Sequence, residues 1–512
     1  MLWIAQAAVA QRPAAGAAAP ERRGAVTPLP AGHWAYDALD RLVAAGWIDP
    51  GRVDGARPLP VDAVAAALEA AAHATGLRAA QRRPAAGAAA QGVAGSGSVG
   101  AAPGGASVDD ATARAMAEFA RDALDRFRRE FPEAAALTTY ARVGYEARSD
   151  GGERWRGVVL GQAVAWAPWP SIGLGYAPEL RYGAAEGAPA AIDWSHGRFG
   201  VAARWKALWL FAGRERLAFE TGAGGGVTLS EDAAFDGLGF GLVEPVAVPG
   251  LGHARGLVYL SRFRGDAFGD PAGFAAIRLT LTPTPWMQLH LNRTIVFARE
   301  HRGAELTPQD MLRILVGKHT LFEDQRASIG LRMRARVGAW ALQPYLEWGF
   351  EDTAGLDEDP GIVTGVFVPA VPGLAALSLR YEYAAFGEHA RLFPGGEFLP
   401  RAWYHHVSGI RDRYVDGAGT PIGHPLGGYG YEHRIEAGAW ADHARLRVQL
   451  GAFRRLRKQG NLLFESRPGA SLGGSLDVHY AVADSLELLA AFRAEYGREG
   501  WSTSRAYVGV RW

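Results

Sequence analysis

Residues 331–340 read LRMRARVGAW. Leu331, Met333, Ala335 and Val337 alternate with Arg332, Arg334 and Arg336. In an extended backbone this places every apolar group on one face and three guanidinium groups on the other. A helix would scatter both sets around its axis. The same period of two recurs in LTTYARVGYEAR at 137–148, AIRLTLTP at 276–283, ARLRVQLGAF at 444–453 and SLELLAAFRAEY at 485–496. Half-buried antiparallel strands produce such a pattern. Either a soluble sandwich or a transmembrane barrel with a wet, charged lumen would satisfy it.

Three observations favour the barrel. Trp155, Trp166, Trp169, Trp205, Trp286, Trp340, Trp348, Trp440 and Trp501 lie near strand ends, where an interfacial girdle would need them. Short connections (TPTP at 282–285, VPG at 371–373, ADH at 441–443) alternate with long ones near 298–325, 351–364, 386–402 and 411–433. The final residues, SRAYVGVRW at 504–512, stay in strand register to Trp512, as a strand paired to its end would. Val508, Val510 and Trp512 lie in a stretch that resembles the C-terminal signal by which outer-membrane barrels are recognised for insertion.

Composition sets the remaining limits. The chain has 512 residues, a formal net charge of +1 and no cysteine. Disulfides, thiolate metal sites and cysteine nucleophiles are therefore excluded, and bulk charge does not suggest nucleic acid as partner. No apolar run is long enough for a transmembrane helix, so any membrane span would have to be a barrel. The length from 136 to 512 predicts about 18 strands at roughly 10 residues per strand. The Gly-rich stretch within 206–275 has no assignable period.

The region before the barrel is expected to be helical. Residues 1–10, MLWIAQAAVA, read as the remnant of a secretory signal, and 11–28 as disordered. HWAYDALDRLVAAGWI and RPLPVDAVAAALEAAAHAT predict a helix pair within 29–78. An Ala/Gly/Ser-rich linker follows at 79–107. Residues 108–135 hold an amphipathic helix with an apolar stripe of Met116, Phe119, Ala120, Leu124 and Phe127. Inside the barrel region, ELTPQDMLRILVG predicts a short helix capped by Thr307 and Asp310. It could constrict the lumen or form a rigid surface loop.

The search for chemistry yields little. His405, His406, His424, His433 and His443 match no tight metal-ligand template. The acidic run FEDTAGLDEDP lacks the spacing of a calcium loop. GAGGG at 222–226 has no following Lys, so it is no phosphate cradle. No Gly-x-Ser-x-Gly elbow is present. No metal or cofactor is expected. Arg332, Arg334, Arg336, Arg445 and Arg447 are expected to form a basic lumen wall; it would draw in anionic groups or pair with acids across strands.

Several blocks resemble the Wzi family of outer-membrane capsule-assembly proteins. They are WLFAGRERLAFETGAGGGVTLSEDAAFDGLGFGLVEPV at 209–246, LHLNRTIVFARE followed by LTPQDMLRILVGK, FEDQRASIGLRMR, YLEWGFED, and WYHHVSGIRDRYVDGAGTPIGHPLGGYG at 403–430. Glu231 and Asp232 stand where the family pattern is more neutral. The resemblance implies an all-β transmembrane barrel with a small helical periplasmic region. It also implies lectin-like binding of capsular or extracellular polysaccharide, with Arg214, Arg293, Trp403, Tyr404, His406 and His424 as candidate contacts. Outer-membrane lipid and the barrel-assembly machinery would be its other partners. The segment GHWAYDALDRLVAAGWI also resembles half of an S-layer-homology module, which implies peptidoglycan as a further partner. Its usual basic stretch is replaced here by Pro60-Val61-Asp62-Ala63. A channel for anionic saccharides and an outer-membrane hydrolase stay open as alternatives.

Overall fold

The computed structural model describes residues 27–29, 33–53, 56–81, 108–131, 137–150, 153–169, 171–185, 187–193, 197–219, 221–222, 224–230, 233–262, 273–297, 300–301, 304–315, 323–351, 360–390, 403, 422–459, 461, 467–483 and 486–512. The architecture below is that of these residues. The expected signal remnant and nearly all of the linker fall outside them, as do Tyr404, His406, Glu231 and Asp232.

Eighteen antiparallel staves close into one barrel. They are β1 (Leu137–Asp150), β2 (Glu153–Trp169), β3 (Ile172–Ala177 with Glu179–Ala185), β4 (Ala191–Asp193 with Arg198–Trp205), β5 (Leu208–Arg216), β6 (Ala234–Leu242 with Val246–Val248), β7 (Gly252–Arg262), β8 (Gly273–Thr284), β9 (Met287–Phe297), β10 (Glu323–Met333 with Ala335–Val337), β11 (Trp340–Glu351), β12 (Gly361–Val368), β13 (Leu377–Phe386), β14 (Gly430–Ala441), β15 (Leu446–Arg457), β16 (Gly469–Ala483), β17 (Leu486–Gly497) and β18 (Ser502–Arg511). The two segments of each interrupted stave pair with the same neighbouring stave, so each counts once. β18 closes the barrel against β1, with Val143 opposite Val510 and Tyr145 opposite Val508. Beyond that ladder Ala141 N–H donates to Trp512 O at 2.7 Å and Trp512 N–H to Ala141 O at 2.9 Å. The seam is thus paired to its last residue, leaving no open edge along it.

The wall is inverted relative to a soluble sandwich. Leu472 and Val508 point outward and are 64% exposed, while inward-facing Arg326 and Glu347 are 0% exposed. Lipid suits the first face and a polar, filled lumen the second. No described helix is long and apolar enough to cross a membrane. The short turns after β8, β10 and β14 share one end with Trp512, and the connections after β9, β11 and β13 occupy the other. The exposed tryptophans Trp166, Trp205, Trp286, Trp340 and Trp512 all lie toward the short-turn end. Three expected girdle members do not face outward. Trp440 is buried against Trp34 and Phe119 of the helical region. Trp155 lies on the inward register beside the inward-facing Arg148. Trp501 lies in the turn before β18 and donates to Pro468 O at 3.0 Å.

Three helices fill the short-turn end: α1 (Trp34–Ala44), α2 (Val61–Gln81) and α3 (Val108–Glu130). α2 runs three residues into the stretch expected to be linker. Trp34, Leu39, Leu42, Val64, Leu68, Met116, Phe119, Leu124 and Phe127 share one core, which also takes in Trp440, Ala370 and Ala444 of the barrel. The apolar stripe of α3 therefore docks on the barrel as well as on its sister helices.

A fourth helix, α4 (Pro308–Leu315), is capped as its sequence predicts. Asp310 N–H donates to Thr307 Oγ1 and Thr307 N–H to the Asp310 carboxylate, both at 3.2 Å. It does not enter the lumen. Ile314 packs on Ala275 and Ile295, register partners on the outward face of β8 and β9.

Candidate functional site

Two elements occupy the lumen at different levels. The lower closure is the helical bundle, held to the wall by charge. Arg126 pairs with Glu487 at 2.7 Å and Arg511 with both Glu487 at 2.6 Å and Glu130 at 3.2 Å. Arg447 reaches Asp37 of α1, and Asp62 of α2 is paired with Arg204. Glu130 also accepts from Trp34 Nε1 at 2.8 Å and His33 Nε2 at 2.9 Å. His33 Nδ1 accepts from Ala35 N–H at 3.2 Å, so the ring is the neutral tautomer with its proton on Nε2. Burial holds His33 below its usual pKa despite Glu130. Burial pushes the Glu130 carboxyl up, but Arg511, His33 and the Trp34 bond outweigh it and hold it well below the usual carboxylate range.

The upper closure is the Gly-rich stretch that sequence periodicity could not assign. After β5 the chain turns inward, and Leu217, Ala218, Phe219, Val227, Thr228 and Leu229 are all 0% exposed. Arg332 Nε donates to Thr221 O at 2.8 Å, and Gly224 N–H donates to Glu382 Oε1 at 2.9 Å. Tyr345 Oη donates to the same Glu382 at 2.7 Å. The loop passes close against the wall: a Cβ at Gly222 would lie 1.9 Å from Glu382 Oε2 and would displace that carboxylate from its bonds to Gly224 and Tyr345. Ala218 and Phe219 pair with Arg57 and Ala56, so the plug is rooted on the strand that leads out of α1.

The described residues of the 403–430 block meet the plug. Ser230 N–H donates to Ile422 O at 3.0 Å, which ties plug to loop. Trp403 meets Phe386 edge-on at 5.1 Å between ring centroids, and His424 meets the same ring at 5.6 Å. Both candidates are buried. His424 Nδ1 accepts from Leu426 N–H at 3.1 Å, and burial pushes its pKa down to about 3. They pack around Phe386 and are no exposed contact surface.

The other candidates separate. Arg214 and Arg293 share the outward register with Leu210 and Leu291. Arg214 grips Asp236 through two bonds at 2.7 and 2.8 Å. Arg293 caps the C-terminal carbonyls of α4, donating to Ile314 O at 2.8 Å and Leu315 O at 3.1 Å. Tyr404 and His406 lie outside the described residues. The expected basic lumen wall needs correction at both of its ends. Arg332 and Arg447 do face inward. Arg334 reaches into the bundle, donating to Val43 O and Ile48 O at 3.2 Å each. Arg336 is exposed in the terminal β10–β11 hairpin, and Arg445 lies in the β14–β15 turn. The alternation continues past the point where the strand leaves the wall.

Inward acids were not singled out from sequence, among them Glu146, Glu179, Glu382, Glu432 and Glu495. Each engages wall arginines or the plug. Arg455 bridges Glu432 and Glu495, Arg457 meets Glu495 at 2.7 Å, Arg181 meets Glu179 at 2.7 Å, and Arg505 meets Glu146 at 2.8 Å. Their signal was present as acids at alternate positions opposite outward apolar residues. A cavity of about 350 Å³ remains beside the wall formed by β1–β3 and β16–β18, lined by Arg142, Glu146, Glu179, Arg181, Arg493 and Arg505 among others.

The profile of the family described as capsule assembly protein Wzi matches residues 142–504. No curated protein sequence matches the chain. Among solved structures the chain is similar to Escherichia coli Wzi, described as an outer-membrane protein involved in group 1 capsule assembly and a carbohydrate-binding β-barrel. The two are 15% identical over 95% of this chain and 99% of that one, with a TM-score of 0.67. The Pseudomonas aeruginosa outer-membrane protein OpdK is 13% identical over 73% of this chain and 97% of that one, at a TM-score of 0.40. OccK7 (OpdD) of the same organism is 9% identical over 73% and 97%, at 0.46. With a match spanning most of the barrel, the chain belongs to the Wzi capsule-assembly family.

Proposed function

We propose that this protein is a non-enzymatic outer-membrane barrel that binds surface polysaccharide and helps to assemble or anchor capsule. The carrying observation is the double closure: bundle and plug occupy the lumen, which leaves the long-loop end as the working face. Family membership and the carbohydrate binding described for the E. coli protein support the reading. The long-loop end then faces the cell surface and the helices face the periplasm. The contact residues belong to the 403–430 connection, whose Trp403 and His424 pack around Phe386. Retention of the organism's own surface polysaccharide on immobilised barrel tests this. Saturable retention is expected, and no retention above an unrelated glycan contradicts it.

The arginine-bearing cavity favours a second reading, a channel for anionic saccharides. A large steady conductance in planar bilayers would support it. Asp62 is used in the ion pair with Arg204, so the helix pair is read as a closure of the barrel mouth in preference to a peptidoglycan anchor. Val508, Val510 and Trp512 serve as the signal recognised by the barrel-assembly machinery. Deleting Trp512 removes the terminal pair with Ala141 and is expected to cut heat-modifiable barrel in the membrane by about tenfold, since unpaired backbone is costly in lipid. Wild-type levels would refute this.

A further inference from the structure

Lipid-facing arginines near the long-loop end fall into two groups. Arg214 is satisfied by Asp236, and Arg293 by the end of α4. Arg454 and Arg156 also point outward, on the registers of Leu450 and Leu160, and both are exposed. Neither meets an acidic side chain among the described residues. Each lies three residues inside the long-loop end of its strand, Arg454 before Arg457 and Arg156 after Glu153. That is the depth at which an outward charge meets headgroups in place of acyl chains.

Their neighbours are not those of a bare apolar wall. Arg454 stands opposite His433 in the β14–β15 ladder, and His433 stands opposite Tyr383 in the β13–β14 ladder. Tyr381 Oη lies 2.9 Å from His433 Nδ1, and the Tyr383 and Tyr431 rings lie 5.0 and 5.8 Å from the imidazole. The same row continues to Leu472 and Tyr496, which is 63% exposed. Around the seam, Tyr145 and Tyr182 flank Val158, two positions from Arg156. Below the row the outward face is plain Ile435, Leu450 and Leu476. A planar guanidinium, an imidazole and phenol groups at the upper edge of an apolar band match a phosphate ester carried on acyl chains.

We propose that the outward belt centred on Arg454 and His433, with Arg156 as a second point, docks the phosphate headgroup of an outer-leaflet lipid. The proposal rests on the outer-membrane reading but not on polysaccharide binding, so the two fail separately. When Tyr381 donates to Nδ1, His433 Nε2 carries the ring proton and remains as a donor beside the Arg454 fork. The ligand identified by this chemistry is a phosphorylated lipid whose tails lie on Leu450 and Leu476.

The test uses full-length protein in mild detergent, judged folded by heat-modifiable migration. Bis-phosphorylated lipid A and its dephosphorylated form are titrated and read by native mass spectrometry. Wild-type protein should prefer the phosphorylated form by about tenfold, as expected for a charge-assisted bidentate contact. Arg454→Gln with His433→Gln should abolish the preference, and Arg454→Lys should restore part of it. Arg336→Gln, at the opposite rim, should leave it unchanged. Equal binding of both lipids by wild type, or an undiminished preference in the double variant, overturns the proposal. Inorganic phosphate binding as well as the lipid does would assign the belt to a free anion and overturn the lipid claim.

Discussion

The helical bundle and the inward-folded stretch 217–230 both close the lumen, yet they are held by different physics. The bundle is latched by buried ion pairs in which each charge depends on another: Arg511 on Glu130 and Glu487, Arg126 on Glu487, Arg447 on Asp37. The plug is held by close backbone approach, with Gly222 and Gly224 against Glu382 and Thr221 O on Arg332. An element latched by charge answers to neutralisation and pH. An element seated by missing side chains answers to bulk. The helices share an apolar core with a few charges at its rim, whereas Leu217, Phe219, Val227 and Leu229 of the plug join an apolar cluster supplied mostly by the wall.

Excising the plug is the largest perturbation. Replacing residues 221–230 with a short Gly/Ser bridge should convert a barrel of low conductance into a channel, because an 18-stranded wall leaves an aqueous lumen when emptied. Unchanged conductance in planar bilayers would mean that the bundle alone seals the barrel. Next comes Glu130→Ala, which removes the shared acceptor of the buried His33 and Trp34 donors while Arg511 keeps Glu487. Leaving a buried donor unpaired costs about 1–3 kcal/mol, so the bundle should become sensitive to limited proteolysis while conductance stays low. Conductance that rises instead would erase the distinction between the two closures.

Acid should loosen the bundle selectively. His33 is depressed below 6.5 by burial, so stability is present above that value and is lost as pH falls through it, where the unfolded ring takes up a proton first. Glu130 is depressed below 4.5, so its share is lost at still lower pH. Protease sensitivity of the bundle should therefore rise below about pH 6.5, as linkage requires. His33→Gln, which keeps a donor for Glu130, should flatten that first limb. A pH profile identical to wild type would remove His33 from the account. The smallest effect is expected for Arg334→Ala. It frees the carbonyls of Val43 and Ile48 at the bundle rim and should cost about 1–2 kcal/mol, as lost hydrogen bonds do, read as a lower bundle melting temperature.

Much of the barrel was legible because the pleat writes itself into the sequence with a period of two. LRMRARVGAW and ARLRVQLGAF specify which face meets lipid, and the closing pair of Ala141 with Trp512 follows once the wall must have no edge. The misreadings share one cause. Position near a strand end does not give facing, so Trp440, on the inward register with Arg434 and Glu436, was grouped with outward tryptophans. Nor does alternation mark where a strand leaves the wall, which is why Arg336 and Arg445 were assigned to the lumen. The plug was illegible for a deeper reason. ETGAGGGVTLS has no period, and its burial depends on Glu382 and Arg332, more than 100 residues away in sequence. Arg293, a candidate glycan contact by resemblance, is taken up by the end of α4, which rests on its outward neighbours Ala275 and Ile295. The 403–430 segment was the strongest motif, and its described residues Trp403 and His424 converge on Phe386 as supporting structure.

The most direct test measures conductance and glycan retention on one preparation. Purified full-length barrel is reconstituted in a planar bilayer, and the organism's own surface polysaccharide is added to the long-loop side. The account predicts saturable polysaccharide binding with no large steady conductance before or after addition. A stable open-channel current that the polysaccharide does not alter, together with no retention of the glycan, would contradict it.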